Sequence, residues 1–168
     1  ETLKSINRIK RMKRFFYLIF IWICVATVSA QEMGSWKTFF SYGGVEKVIQ
    51  SKDKIFALGN GVLFSVDKSS ESIETYTKTN GLSDCYISQM NYNEKMDALV
   101  LVYDNANIDI VKRSYVSNIS DFKRKDIGGK LVNSITSYGE YTYLACDLGI
   151  VVVDIKKEGI ADTYVIGD

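Results

Sequence analysis

The chain has 168 residues with 21 basic and 20 acidic side chains, and it contains no histidine. The lack of histidine removes Ser-His-Asp and Cys-His catalysis and the commonest zinc ligand. Setting residues 1–30 aside takes six basic residues and one acidic residue, leaving 15 against 19; this balance of −4 offers no basic face to nucleic acid.

At the N-terminus, Lys10, Arg11, Lys13 and Arg14 precede the apolar run from Phe15 to Val28, and Val28-Ser29-Ala30 supplies small residues at a cleavage position. Residues 1–30 therefore read as upstream residues plus a secretory signal peptide, with Met12 as the natural start. A membrane anchor is the competing reading, but the apolar run falls short of the roughly 18 to 20 residues a spanning helix needs. A lipoprotein signal with Cys24 acylated is a third, set back by the bulky Trp22 and Ile23 before it.

Residues 31–168 read as strands and turns, with one pattern repeated three times. The segments IFALGNGVLFSVD (55–67), ALVLVYDNANIDIVK (98–112) and YLACDLGIVVVD (143–154) each hold two apolar strands around a turn. Anchored on Leu63, Ile108 and Ile150, the repeats are spaced by 45 and 42 residues. A spacing of about 40 to 45 residues is that of a β-propeller blade.

Four strands are expected per repeat. The first holds VEKVIQ (45–50), IFAL (55–58), VLFSV (62–66) and SIETYT (72–77). Asn60-Gly61 is the strongest hairpin signal, because a two-residue type I′ turn needs positive φ at both positions. The second holds ISQMNY (87–92), ALVLVY (98–103), IDIV (108–111) and YVSNISDF (115–122). The third holds VNSITSY (132–138), YTYLAC (141–146), IVVVD (150–154) and ADTYVI (161–166). Tyr76, Phe122 and Tyr164 fall 13, 14 and 14 residues after the anchors, so an aromatic is expected in each fourth strand.

Runs such as ALVLV and IVVV do not alternate apolar with polar residues, so these strands are expected to be buried on both faces. Blades packed radially provide that environment. A parallel α/β sheet would too, but no amphipathic stretch of crossover length lies between the strands. The fold class is all-β: an incomplete ring of about three four-stranded blades after a signal peptide. Three blades fall short of the roughly 4 to 8 of a closed ring, so residues 31–168 are expected to be the N-terminal part of a propeller domain. SWKTFFSY (35–42) is expected to be a strand that completes a last blade.

Residue chemistry singles out no catalytic, cofactor-binding or metal site. Asp67, Asp147 and Asp154 fall where acids cap turns, which competes with a role as a glycosidase carboxylate pair. The run Asp104 to Asp109 has the look of a calcium loop, but Ala106 and Ile108 break the alternation of oxygen ligands, and a strand connection explains it better. Tyr138, Tyr141 and Tyr143 are expected in the core, since aromatics favour sheets, with surface rings that stack on sugars or bases as the competing reading. Lys123-Arg124-Lys125 is expected to be a solvated loop. Cys85 and Cys146 are open to pairing in an exported chain, with two buried thiols as the favoured alternative.

TNGLSDCYISQMNYN (79–93) resembles the repeat of two-component-regulator propellers, and GIVVVD (149–154) is similar to their Gly-Leu-x-x-x-Asp element. The order WKTFFSY, GNGVLFSVD, TNGLSD, YDNANIDIV, LGIVVVDI and DTYVIGD resembles the N-terminal propeller of the PorZ family of the Bacteroidetes type IX secretion system. That resemblance implies a non-enzymatic accessory protein, exported through the periplasm to the outer-membrane cell surface. It implies as partners the sortase PorU and other attachment-complex proteins, and a role in anchoring secreted cargo to anionic lipopolysaccharide. The alternative is a carbohydrate-sensing propeller ectodomain of a hybrid two-component regulator. No cofactor and no nucleic acid follow from either.

Overall fold

The computed structural model describes residues 44–166. The expected signal segment with Cys24 and the expected strand at 35–42 lie outside the described residues. The first sheet is formed by β1 (Val45–Gln50), β2 (Lys54–Gly59), β3 (Val62–Asp67) and β4 (Ile73–Tyr76). The second comprises β5 (Ile87–Asn93), β6 (Ala98–Tyr103), β7 (Ile108–Val111) and β8 (Val116–Ile119). The third comprises β9 (Val132–Tyr138), β10 (Tyr141–Cys146), β11 (Gly149–Asp154) and β12 (Gly159–Val165). Within each sheet the strands pair antiparallel in chain order.

Turn chemistry fixes the register. Asn60 (φ 51°) and Gly61 (φ 71°) are both left-handed, so Gly59 pairs with Val62 across a two-residue turn whose twist matches its strands. In the second sheet the loop is one residue longer. Ala106 takes the left-handed position (φ 63°), its N–H donates to the Tyr103 carbonyl at 2.9 Å, and the Tyr103 N–H donates to Asn107 at 3.0 Å.

The continuous apolar run of β6 resolves into two interleaved faces. Leu99, Leu101 and Tyr103 join Phe56, Leu58 and Leu63 of the first sheet in one core. Ala98, Val100 and Val102 join Leu144, Val151 and Val153 of the third in another. The middle sheet is thus sandwiched between its neighbours, which is why its sequence does not alternate. The first strand of each sheet carries one extra residue near its start, Glu46, Ser88 and Asn133, opposite a register shift. The repeated bulge marks the three sheets as copies of one unit, blades stacked with their first strands innermost.

One end of the blades, here the upper, carries the β2–β3, β6–β7 and β10–β11 hairpins and both blade-to-blade connectors. The remaining turns form the lower end. The first connector runs through a short 3₁₀ turn (Lys78–Asn80), and Leu82 drops from it into the core between the first two blades. The second begins with α1 (Asp121–Arg124), from which Phe122 drops into the next core.

The aromatic spacing is therefore not one structural position. The fourth strand of the second blade ends at Ile119, which pairs with Ile108 as Tyr76 pairs with Leu63 and Tyr164 with Ile150. Phe122 lies beyond the strand in a helical turn and is 1% exposed. The matching distance in the third blade arises because a bulge between Val152 and Val153 lengthens the path to Tyr164.

The tyrosine cluster also departs from expectation. Leu144 and Cys146 point into the core, so Tyr141 and Tyr143, on the alternate positions of β10, face away from it. Tyr138, opposite Tyr141, is 81% exposed.

Candidate functional site

A cleft of about 690 Å³ opens between the outer halves of the first and second blades. Its floor is aromatic because the apolar faces of the two sheets diverge there. The Phe56 ring lies 6.1 Å from Tyr76 and 6.3 Å from Tyr92, spacings at which rings attract beyond their area burial. Leu99 and Val111 complete the floor.

The walls are charged and come from turns far apart in sequence. Lys54 at the start of β2 donates to Glu74 of β4 at 2.6 Å and to the Tyr76 hydroxyl at 3.3 Å. The hydrogen bond with Glu74 raises the lysine pKa and lowers that of the carboxyl. Tyr92 donates to Asp97, and burial first, then that carboxylate, push the phenol up to about 12. Arg113 reaches across the cleft to Asp53 at 3.1 Å and, within its own blade, approaches Asp97 at 3.8 Å. Beyond it, Lys112 spans to Glu158 of the third blade at 2.5 Å, and the Tyr115 hydroxyl donates to the same oxygen at 2.5 Å.

Each of the cleft's carboxylates, Asp53, Asp67, Glu74 and Asp97, already has a fixed partner. An arrangement of that kind presents alternating charge over an aromatic floor. It is suited to holding a ligand of mixed polar and apolar character.

The acids singled out by sequence are turn and loop elements. Asp67 Oδ1 accepts from the Ser69 hydroxyl at 2.6 Å and from the Ser69 and Ser70 amides at 2.9 Å each, which holds its carboxyl well below the usual range. Asp154 caps its turn through the Lys156 and Lys157 amides at 3.0 and 2.9 Å. Asp147 accepts from Asn133 at 2.7 Å. These three do not converge with one another, and only Asp67 lines the cleft. Among the described residues no three His, Cys, Asp or Glu side chains group to hold a metal.

In the Asp104 to Asp109 run, the side-chain oxygens of Asn105, Asn107 and Asp109 are turned to protein donors, while Asp104 is exposed. The buried Asp109 carboxylate accepts from the Tyr103 hydroxyl at 2.5 Å, the Ser83 amide at 2.8 Å and the Asn118 side chain at 2.8 Å. Asn105 donates to Asp84 at 2.5 Å. The basic run is not simply a solvated loop: it starts within α1, and Lys123 pairs with Asp84 at 2.8 Å, pulling that carboxyl well below its usual range. Cys85 is exposed rather than buried. Cys146 is buried, which pushes its thiol up to about 11, and the two are unpaired.

The cleft residues Lys54, Glu74, Tyr76, Tyr92, Asp97 and Arg113 carry no motif. Arg113 and Asp53 are 60 residues apart, so the only sequence signal for their meeting is the blade repeat itself.

The NGLSD segment, by contrast, acquires a structural meaning residue by residue. Asn80 caps the 3₁₀ turn through Thr77, Gly81 takes φ 114°, and Leu82 fills the core. The Ser83 amide binds Asp109, and Asp84 anchors the second connector through Lys123. The motif is the joint that locks one blade onto the next.

Residues 55–168 match the family model described as the type IX secretion PorZ N-terminal β-propeller domain. The chain is 34% identical, with a TM-score of 0.73, to PorZ of Porphyromonas gingivalis, described as an essential surface component of that organism's type IX secretion system. That match covers 78% of this chain and 18% of the PorZ chain. Two structures of AztD from Citrobacter koseri, one of them the apo form, match at 15% identity and a TM-score of 0.55. They cover 74% of this chain and 34% and 35% of theirs, and show the fold alone. No curated protein matches. The three bulged, four-stranded blades, the NGLSD joint and the match over residues 55–168 together place this chain in the PorZ N-terminal β-propeller family.

Proposed function

We propose that this chain is part of a non-enzymatic accessory protein of the type IX secretion attachment complex. In that role it is exported by a signal peptide within residues 1–30 and works at the outer-membrane surface. Residues 31–168 supply the N-terminal part of a β-propeller domain. Beside the sortase PorU, it assists the anchoring of secreted cargo to anionic lipopolysaccharide. The observation that carries this reading is the family match over residues 55–168.

The cleft geometry supports binding over catalysis. Its carboxylates are committed to Arg113, Lys54, Tyr92 and the serine cap, so the blades offer a surface and a pocket whose acids already have partners. Among the described residues no helix is long and apolar enough to cross a membrane.

Deleting the gene tests the reading. Sorting-domain cargo is expected to stay unprocessed and to appear in the medium instead of on the cell surface, as followed by surface labelling and blotting. Normal cargo attachment in the deletion strain refutes it. A response confined to growth on particular glycans would move the protein to the sensor class.

A further inference from the structure

Tyr86 and Leu131 occupy equivalent positions, each immediately before the innermost strand of a blade. At both, the backbone is clamped by the hairpin of the blade being entered. The Asp104 amide donates to the Tyr86 carbonyl at 3.1 Å, and the Asp147 amide donates to the Leu131 carbonyl at 3.2 Å. The Ile87 amide adds a bond to Gly61 of the preceding blade at 3.2 Å. Gly61 also passes so close beneath that a Cβ there would lie 3.2 Å from the Tyr86 Cα.

The clamp sends both large side chains outward: Tyr86 is 71% exposed and Leu131 58%. Tyr86 also sits at φ 58°, a region that side chains other than Gly, Asn and Asp rarely occupy. The same connectors bury Leu82 and Phe122 and leave Ile127 42% exposed, less than either Tyr86 or Leu131. Next to each apolar side chain stands the exposed aspartate whose amide makes the clamp, Asp104 beside Tyr86 and Asp147 beside Leu131. The same pair, a rigid apolar anchor with an acid at its side, is therefore repeated one blade apart on the inner upper rim.

We propose that this rim docks a folded protein whose surface presents apolar side chains flanked by lysine or arginine. The proposal rests on the accessory-protein reading and names the surface that reading uses. Rigid, pre-positioned tyrosine is a typical interface anchor, because little conformational freedom is left to lose on binding. The acids select a basic partner and disfavour an anionic lipid surface.

Binding of the purified attachment-complex sortase to the full chain, measured by interferometry, tests it. Tyr86→Ser with Leu131→Ser is expected to weaken binding by at least about tenfold, the loss typical of interface anchors. Asp104→Asn with Asp147→Asn is expected to slow association and flatten its salt dependence. Ile73→Ser, an exposed apolar site on β4, is expected to leave binding unchanged. Unchanged thermal transitions in these variants keep the comparison free of misfolding. Equal sortase binding by the chain and its Tyr86/Leu131 variant overturns the rim while leaving the accessory reading intact. So does an equal loss in Ile73→Ser. A chain that binds no sortase overturns the rim as well, and the cargo phenotype then decides the accessory reading separately. Tyr86-dependent sedimentation with phosphatidylglycerol vesicles reassigns the rim to the membrane and overturns the proposal.

Discussion

Asp109 shows how a single buried carboxylate can organise two blades. It sits in β7, yet its three donors come from β6, β8 and the first connector, so it fixes the joint as well as its own sheet. Hydrogen bonds to a buried charge are worth about 1.5–3 kcal/mol each, and leaving such a group short of donors costs more than the bond itself. Asp109→Ala is expected to destabilise the fold more than Tyr103→Phe, and the double variant less than the sum of the two, in urea denaturation monitored by tyrosine and tryptophan fluorescence. Additive effects would mean that the Tyr103 bond is incidental. A second residue-scale constraint lies at Gly149, where φ is 137° and a Cβ would stand 2.0 Å from the Tyr164 carbonyl oxygen. Gly149→Ala is expected to lower stability by about 2 kcal/mol or more, since β12 must shift to admit it. Sequence reading identified the Asn60-Gly61 turn because its φ requirement is local. It could not assign Asp109, because two of its three donors are separated from it by 9 and 26 residues and no spacing rule links them.

At the scale of elements, strand order and nearly all strand positions were legible, because hydrophobic patterning and turn residues are properties of short windows. The exceptions are at connectors, where local pattern and tertiary contact compete. YVSNISDF has enough β-forming residues to read as one strand through residue 122, but the structure ends it at Ile119 and spends Phe122 on the core between two blades. Phe122→Ala is expected to cost about 3–5 kcal/mol, the usual range for emptying a buried aromatic site. Tyr164→Ala, at the position that spacing makes its counterpart, is expected to cost little, since Tyr164 is exposed. Chemical denaturation of the two variants separates the readings: equal losses would restore the aromatic repeat as a structural one. The tyrosines of β9 and β10 went the other way, with Tyr138 and Tyr141 exposed and Tyr143 half-buried. Aromatic β-propensity does not say which face of a sheet is covered.

Across the described blades, the upper end is joined by the Ile87–Gly61 backbone hydrogen bond and the Asp84–Lys123 pair of the connectors, and the lower end by ion pairs between blades. The latter make the assembly of blades sensitive to pH in a defined direction. Glu158, between the second and third blades, is held at about 2 by hydrogen bonds first from Lys112 and then from Tyr115. An unfolded glutamate titrates near 4.3, so between that value and about 2 the unfolded chain binds the extra proton. The contribution of Glu158 is thus fully present above the unfolded value and lost as pH falls through about 2. Lys112 behaves oppositely: its pKa is raised by Glu158 and then Tyr115, so its contribution is complete below the unfolded lysine value and disappears as pH rises through the raised one. Neither charge is deeply buried, and pairs of this exposure are worth at most about 1 kcal/mol. The thermal midpoint is therefore expected to fall modestly from pH 5 to pH 2.5, and Glu158→Gln is expected to flatten that fall while changing stability at neutral pH only slightly. Asp84, which joins the two connectors at the upper end, adds to the same acid-side loss through its bond with Lys123. Lys123→Met in the Glu158→Gln background is expected to flatten the slope further. If both variants keep the full acid dependence, the coupling of blades to pH resides outside these two contacts.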